Sequence, residues 1–158
     1  MYTPPIQDQK FIIEHLIGID SIIASQNGDA KSQEIIDADL VWSILDEAGK
    51  FASNVLAPLN HSGDKQNSKI TQDGDVITPD GFKEAYKAMC DSGWTTLEAK
   101  SEWGGQEMPM SISAAVCEMW HSANMSFALC HLLSQGQIYA LQKSASDEQK
   151  RKYLPNLV

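Results

Sequence analysis

The chain has 158 residues, 42% of them hydrophobic, enough for one domain that buries roughly 70% of its unfolded surface without disulfide or metal staples. Its formal net charge is −9, with 12 Lys plus Arg against 21 Asp plus Glu. That balance argues against nucleic acid and anionic membranes, which need basic surfaces; Arg151 is the single arginine, so bidentate phosphate clamping is scarce.

Cys90, Cys117 and Cys130 are odd in number and widely spaced. They read as free buried thiols in a reducing compartment, with cytoplasmic as the default. No apolar run approaches the ~20 residues of a transmembrane helix, and Met1 to Lys10 lacks the order of a signal peptide.

Tyr2-Thr3-Pro4-Pro5 favours an extended start. A helix is expected from Asp8 as cap, with Ile12, Leu16, Ile19 and Ile23 facing the core at four, three and four residues. Asn27-Gly28 is the expected stop. A second helix follows Asp37, with Leu40-Val41, Ile44-Leu45, Ala48, Phe51-Ala52 and Val55-Leu56 as a doubled stripe. Pro58 is expected to end it at Ala57. Asn60 to Asp75 reads as one long surface loop, and Val76-Ile77 as a short extended piece.

Thr78-Pro79 resembles a cap followed by a first helical residue. Phe82, Ala85-Tyr86 and Met89-Cys90 would be the buried face, and Gly93 the end. Trp94 to Met108 has no clear period and reads as an ordered loop pinned by Trp94 and Trp103. Pro109 opens the next helix, with Ile112, Ala115-Val116, Met119-Trp120 and Ala123 on one face. Asn124 caps another, which Gln135-Gly136 interrupts or bends. Ser146 to Gln149 has capping-box spacing and starts a last helix, Asp147 to Leu154, before Pro155. The fold class is all-α: a compact bundle of about six or seven helices with one long loop.

Chemistry is thinly signalled. No Gly-rich phosphate loop occurs. Cys117 and His121 lie four apart on one helix, but Cys130 and His131 point roughly 100° apart. Buried inert cysteines with a capping or surface histidine fit better than zinc. Glu98, Glu102 and Glu107 read as surface acids. Met125, Leu129, Leu132 and Gly136 follow helical spacing and end on a residue without a side chain. That stripe either floors an elongated apolar cavity or packs into the core.

Several motifs occur in order: Asn54-Val55-Leu56-Ala57-Pro58-Leu59-Asn60, Thr78-Pro79-Asp80-Gly81-Phe82-Lys83, Trp103-Gly104-Gly105-Gln106, Ala123-Asn124-Met125-Ser126-Phe127 and Asp147-Glu148-Gln149-Lys150-Arg151-Lys152-Tyr153-Leu154-Pro155. Together they resemble the amino-terminal part of acyl-CoA dehydrogenases, in the branch that includes 3-methylmercaptopropionyl-CoA dehydrogenase-like enzymes. The resemblance implies a helical domain, residues 1–158, of a larger flavoenzyme whose middle β and C-terminal helical domains are absent here. It implies FAD in the full-length enzyme and none bound to this fragment. A glutamate base and the flavin would sit outside the chain, leaving no catalytic, cofactor or metal residue within it, and the fragment would be inactive alone. Acyl-CoA and an electron-transfer flavoprotein are the implied partners, with a homo-oligomer expected from uncovered apolar surface. Met125, Leu129, Leu132 and Gly136 are the implied substrate-binding residues. Lys150-Arg151-Lys152 reads as complementing a helix carboxyl end. The alternative is a non-catalytic all-helical interaction module.

Overall fold

The computed structural model describes residues 2–28 and 36–158. Pro4-Pro5 precedes α1, Ile6–Phe11, so the helix starts two residues before Asp8 and without a side-chain cap. A π turn, Ile12–Ile17, follows and ends at Gly18, whose φ is 85°. Then α2, Ile19–Gly28, resumes; the stop expected at Asn27-Gly28 adjoins residues outside the described range. The π turn and Gly18 break the expected single stripe. A π turn closes i to i+5, so α-helical spacing no longer keeps one face. Ile13 and Ile22 are buried, and Ile19 and Ile23 pack half-buried against the core as expected, whereas Leu16 is 70% exposed, and Ile12 and Ile17 are exposed too.

Asp37 caps α3, Ala38–Phe51, by accepting from the Leu40 N–H at 2.8 Å. The helix does not end at Ala57. It passes through a second π turn, Ala52–Leu56, into α4, Ala57–Gln66. Pro58 sits in the first turn of α4, where its missing N–H and fixed φ are tolerated. The expected long loop is therefore helix as far as Gln66. Past it lies an antiparallel hairpin, β1 Lys69–Ile70 and β2 Val76–Ile77, with Lys69 opposite Ile77.

Thr78-Pro79 does not cap a helix. Pro79 accepts from the Phe82 N–H in a turn, and α5, Phe82–Asp91, begins after Gly81 at φ 84°. Two short 3-10 turns, Trp94–Thr96 and Ser101–Trp103, carry the aromatic loop. Gly105 is required there, since a Cβ would lie 2.0 Å from the Ala99 carbonyl oxygen. Next come α6 Met110–Ala123, α7 Met125–Ser144 and α8 Asp147–Tyr153. Gln135-Gly136 does not interrupt α7, which runs unbroken; a lone Gly costs a helix only about 1 kcal/mol. The capping box at Ser146 and Gln149 forms both of its bonds.

The core lies between the α3–α4 rod and α6. Val41, Leu45, Ala48, Ala52 and Leu56 meet Ile112, Val116, Met119 and Trp120, all essentially sealed from solvent. Trp120 is the hub of a ring cluster, edge-on to Trp94 at 5.6 Å and to Phe51 at 6.2 Å. The aromatic loop is thus pinned through Trp94, as its composition suggested. The extended N-terminus is tied to α6 by polar bonds: Tyr2 hydroxyl donates to the Met119 carbonyl, and buried Gln9 donates to the Ala115 carbonyl at 2.9 Å. A smaller cluster of Ala99, Ile138 and Leu154 packs the far end of α7 against the last turns.

Candidate functional site

The α6–α7 junction positions the site. Asn124 is fully buried, and its Oδ1 accepts from the Phe127 N–H at 3.2 Å, capping α7. Its Nδ2 donates to the Leu56 carbonyl at 3.1 Å, tying the junction to the π turn of the rod. This fixes the first turns of α7 beside α4 and α5.

A cleft of about 1090 Å³ opens between α4, the hairpin base, α5 and the start of α7. Pro79, Phe82, Met125, Phe127 and Leu129 give it an apolar lining. Phe82 and Phe127 meet edge-on at 5.7 Å. Gly63 allows α4 to close on them, because a Cβ there would lie 2.7 Å from the Phe82 ring. The mouth is braced by a reciprocal pair: Gln66 Nε2 donates to Asp80 Oδ2 at 2.6 Å, and the Asp80 N–H donates to Gln66 Oε1 at 2.8 Å. Polar groups form the rim, among them Asn60, Asn67, Lys83 and Lys87. The single carboxylate on the α4 side is Asp64.

The four residues singled out from sequence divide into two pairs. Met125 and Leu129, 53% and 47% exposed, line the cleft. Leu132 lies further along α7, exposed at 44%, outside that lining. Gly136 follows it, with nothing within 4 Å of where a Cβ would stand.

Sequence reasoning missed the α5 side of the cleft. Phe82, Tyr86 and Cys90 were expected to be buried with Ala85 and Met89. Only Ala85 and Met89 are buried; Phe82 is half-buried, and Tyr86 and Cys90 are exposed and line the cleft. Their four-residue spacing marks a shared face, but spacing alone does not say whether that face is covered. Burial pushes the Tyr86 phenol above its ordinary range, with Cys90 and then Cys130 adding to the rise.

The cysteine and histidine expectations also change. All three cysteines are free, but Cys90 and Cys130 are exposed rather than buried. Cys117 is half-buried against Gln135 Oε1 at 3.6 Å, and burial pushes its thiol up. His121 Nδ1 donates to the Cys117 carbonyl at 2.7 Å. His131 is no surface residue: it is 3% exposed, edge-on to Trp120 at 5.8 Å, with neither ring nitrogen hydrogen-bonded among the described residues. Burial, and then the nearby His121, lower its pKa to about 4, so it is neutral at pH 7. Among the described residues, no group of three or more His, Cys, Asp or Glu is placed to hold a metal, and no helix is long and apolar enough to cross a membrane.

The cleft offers an apolar surface with a polar, partly cationic rim. Among the described residues its lining includes no glutamate. What the arrangement provides is a wall for an elongated apolar group.

The comparisons with known proteins bear on the family. The family described as acyl-CoA dehydrogenase, N-terminal domain, matches residues 42–158. The chain is 38% identical over 157 residues to 3-methylmercaptopropionyl-CoA dehydrogenase of Ruegeria pomeroyi, covering 99% of this chain and 26% of that protein. It is 28% identical over 159 residues to butyryl-CoA dehydrogenase of Syntrophomonas wolfei, covering 99% of this chain and 25% of that protein. A third relative, the broad-specificity linear acyl-CoA dehydrogenase FadE5 of Mycobacterium tuberculosis, is 25% identical over 124 residues, covering 78% of this chain and 20% of that protein. The chain thus spans about a quarter of the length of the first two curated relatives. A mainly helical body, the ordered motifs and a match over most of its length show that the chain belongs to the acyl-CoA dehydrogenase family, as that family's N-terminal domain.

Proposed function

We propose that this chain is one domain, residues 1–158, of a longer acyl-CoA dehydrogenase that desaturates an acyl-CoA thioester between its α and β carbons. Its own part is to wall the acyl chain. The observation that carries this reading is the apolar cleft: Met125 and Leu129 line it, while Leu132 and Gly136 prolong the same exposed face of α7. A chain laid on that face loses water at roughly 25 cal/mol per Å² of apolar area covered.

In this reading FAD and the glutamate base belong to other parts of the longer chain. The flavin, when bound there, supplies the acceptor for the β-hydride. The residues here hold the chain in register, exclude water and leave proton abstraction to the base. An electron-transfer flavoprotein would take the electrons. A cytoplasmic setting suits the three free thiols. Exposed apolar side chains on α7, such as Leu133, support burial against neighbouring domains or a second copy.

The test uses the complete gene product. Flavin content and dehydrogenation of acyl-CoA substrates of increasing length should show an enzyme that forms 2-enoyl-CoA products. Gly136→Leu should then shift preference toward shorter chains, with kcat/KM for the longest falling about tenfold, or ~1.4 kcal/mol. Absence of flavin and of turnover in the complete protein would favour the non-catalytic module instead. An unchanged length preference in Gly136→Leu would remove α7 from the acyl path.

A further inference from the structure

The cleft contains chemistry that the acyl-wall reading does not use. Cys90 lies in the last turn of α5, and Cys130 in the second turn of α7. Both are exposed, both are free, and both line the same cleft from different helices. Tyr86, one turn before Cys90, lines it too; burial first, and then the two thiols, push its phenol up. The third cysteine is a built-in contrast. Cys117 is half-buried, and burial holds its thiol in the protonated, unreactive form.

We propose that Cys90 and Cys130 form a thiol-oxidation site in the wall of the cleft, where exchange with a low-molecular-weight disulfide obstructs the cleft. The cysteine thiolate attacks one sulfur of the reagent. A protein–reagent S–S bond forms, the reagent's own S–S bond breaks, and the released thiolate takes up the proton the cysteine lost. If the other cysteine then attacks the mixed disulfide, a second thiol leaves and Cys90 and Cys130 are joined. The protein has then lost two electrons and two protons, and one reagent disulfide has become two thiols. Either product places covalent bulk between α5 and α7 beside Met125 and Leu129. Added thiol reverses both.

The consequence for acyl chains rests on the proposed function, but the chemistry and the closure do not. The protein is incubated with glutathione disulfide and mapped by peptide mass spectrometry. Occupancy of the cleft is followed separately with dansyl-undecanoic acid and with octanoyl-CoA. Oxidation is expected at Cys90 and Cys130 well ahead of Cys117, with at least a tenfold loss of dansyl-undecanoic acid affinity. Dithiothreitol should restore it, and the probe affinity of the Cys90→Ser/Cys130→Ser double variant, whatever its level, should not change on oxidation. Prior reaction at Cys117, or oxidation at the cleft cysteines with unchanged probe affinity, overturns the proposal. If octanoyl-CoA fails to bind even the reduced complete protein while the dansyl probe still responds to oxidation, the acyl-CoA reading fails and the thiol site stands.

Discussion

Helices α6 and α7 follow one another through a single residue, Asn124, and both are rich in apolar side chains. Their fates differ. α6 puts Ile112, Val116, Met119 and Trp120 into the core with almost no solvent exposure. α7 buries Phe127, Ala128, His131 and Ile138, yet leaves Met125, Leu129, Leu132 and Leu133 largely open. Similar composition therefore serves two tasks. α6 consumes its apolar surface inside the domain, whereas α7 leaves much of its own uncovered.

Substitutions along the two helices break or sharpen this contrast. Trp120→Ala removes the hub of the ring cluster and should cost about 3–5 kcal/mol, read as a lower denaturant midpoint. A loss under 1 kcal/mol would mean that the α6 core is far more plastic than its packing indicates.

The next effect is on pH. His131 titrates near 4 in the folded protein and near 6.5 when unfolded. Its neutral form is favoured by the fold, so the unfolded chain binds the extra proton first as pH falls. Stability is intact above about pH 6.5 and declines toward pH 4, by about 3 kcal/mol in full. His131→Phe should flatten that part of the stability profile. A wild-type profile with no slope between pH 6 and 4 would contradict the buried neutral ring.

At the junction itself, Asn124→Ala should cost about 2 kcal/mol by losing the cap and leaving the Leu56 carbonyl short of a partner. Asn124→Ser keeps a capping oxygen without placing a charge against the Leu56 carbonyl and should recover part of that loss, separating the two bonds. Smallest of all, Leu133→Ser on the open side of α7 should change stability by no more than about 0.5 kcal/mol. A larger loss would place that face inside the domain's own packing.

Local signals were legible where the chemistry is local. Asn124 and Ser146, read as caps, each hold a helix through a side-chain oxygen, because a cap involves only three or four neighbouring residues; Asp8 and Thr78, read the same way, do not cap one. The all-helical class followed from periodicity. Two kinds of feature escaped. The π turns at Ile12–Ile17 and Ala52–Leu56 shift the pattern by a widened turn that tertiary packing must support, so a straight α-helical wheel put Ile12 and Leu16 on the wrong side. Likewise Pro58 looked like a terminator because its tolerance depends on that turn just upstream. The cleft was half legible: Met125 and Leu129 stood out as a stripe, but Tyr86 and Cys90 looked like core. An apolar period reveals a face and says nothing of what stands opposite it.

The π turn in the long rod has a further meaning. It acts as a one-residue spacer in the helical screw, setting the α4 half at a different azimuth from the α3 half. Were the same residues between Ala52 and Leu56 wound as plain α-helix, everything downstream would sit about 100° further round. Gly63 would turn away from Phe82, the Gln66–Asp80 brace would part, and the cleft would lose its upper lip while the seam against α6 stayed zipped. One residue of surplus length is what lets a single rod serve the core at one end and the cavity at the other.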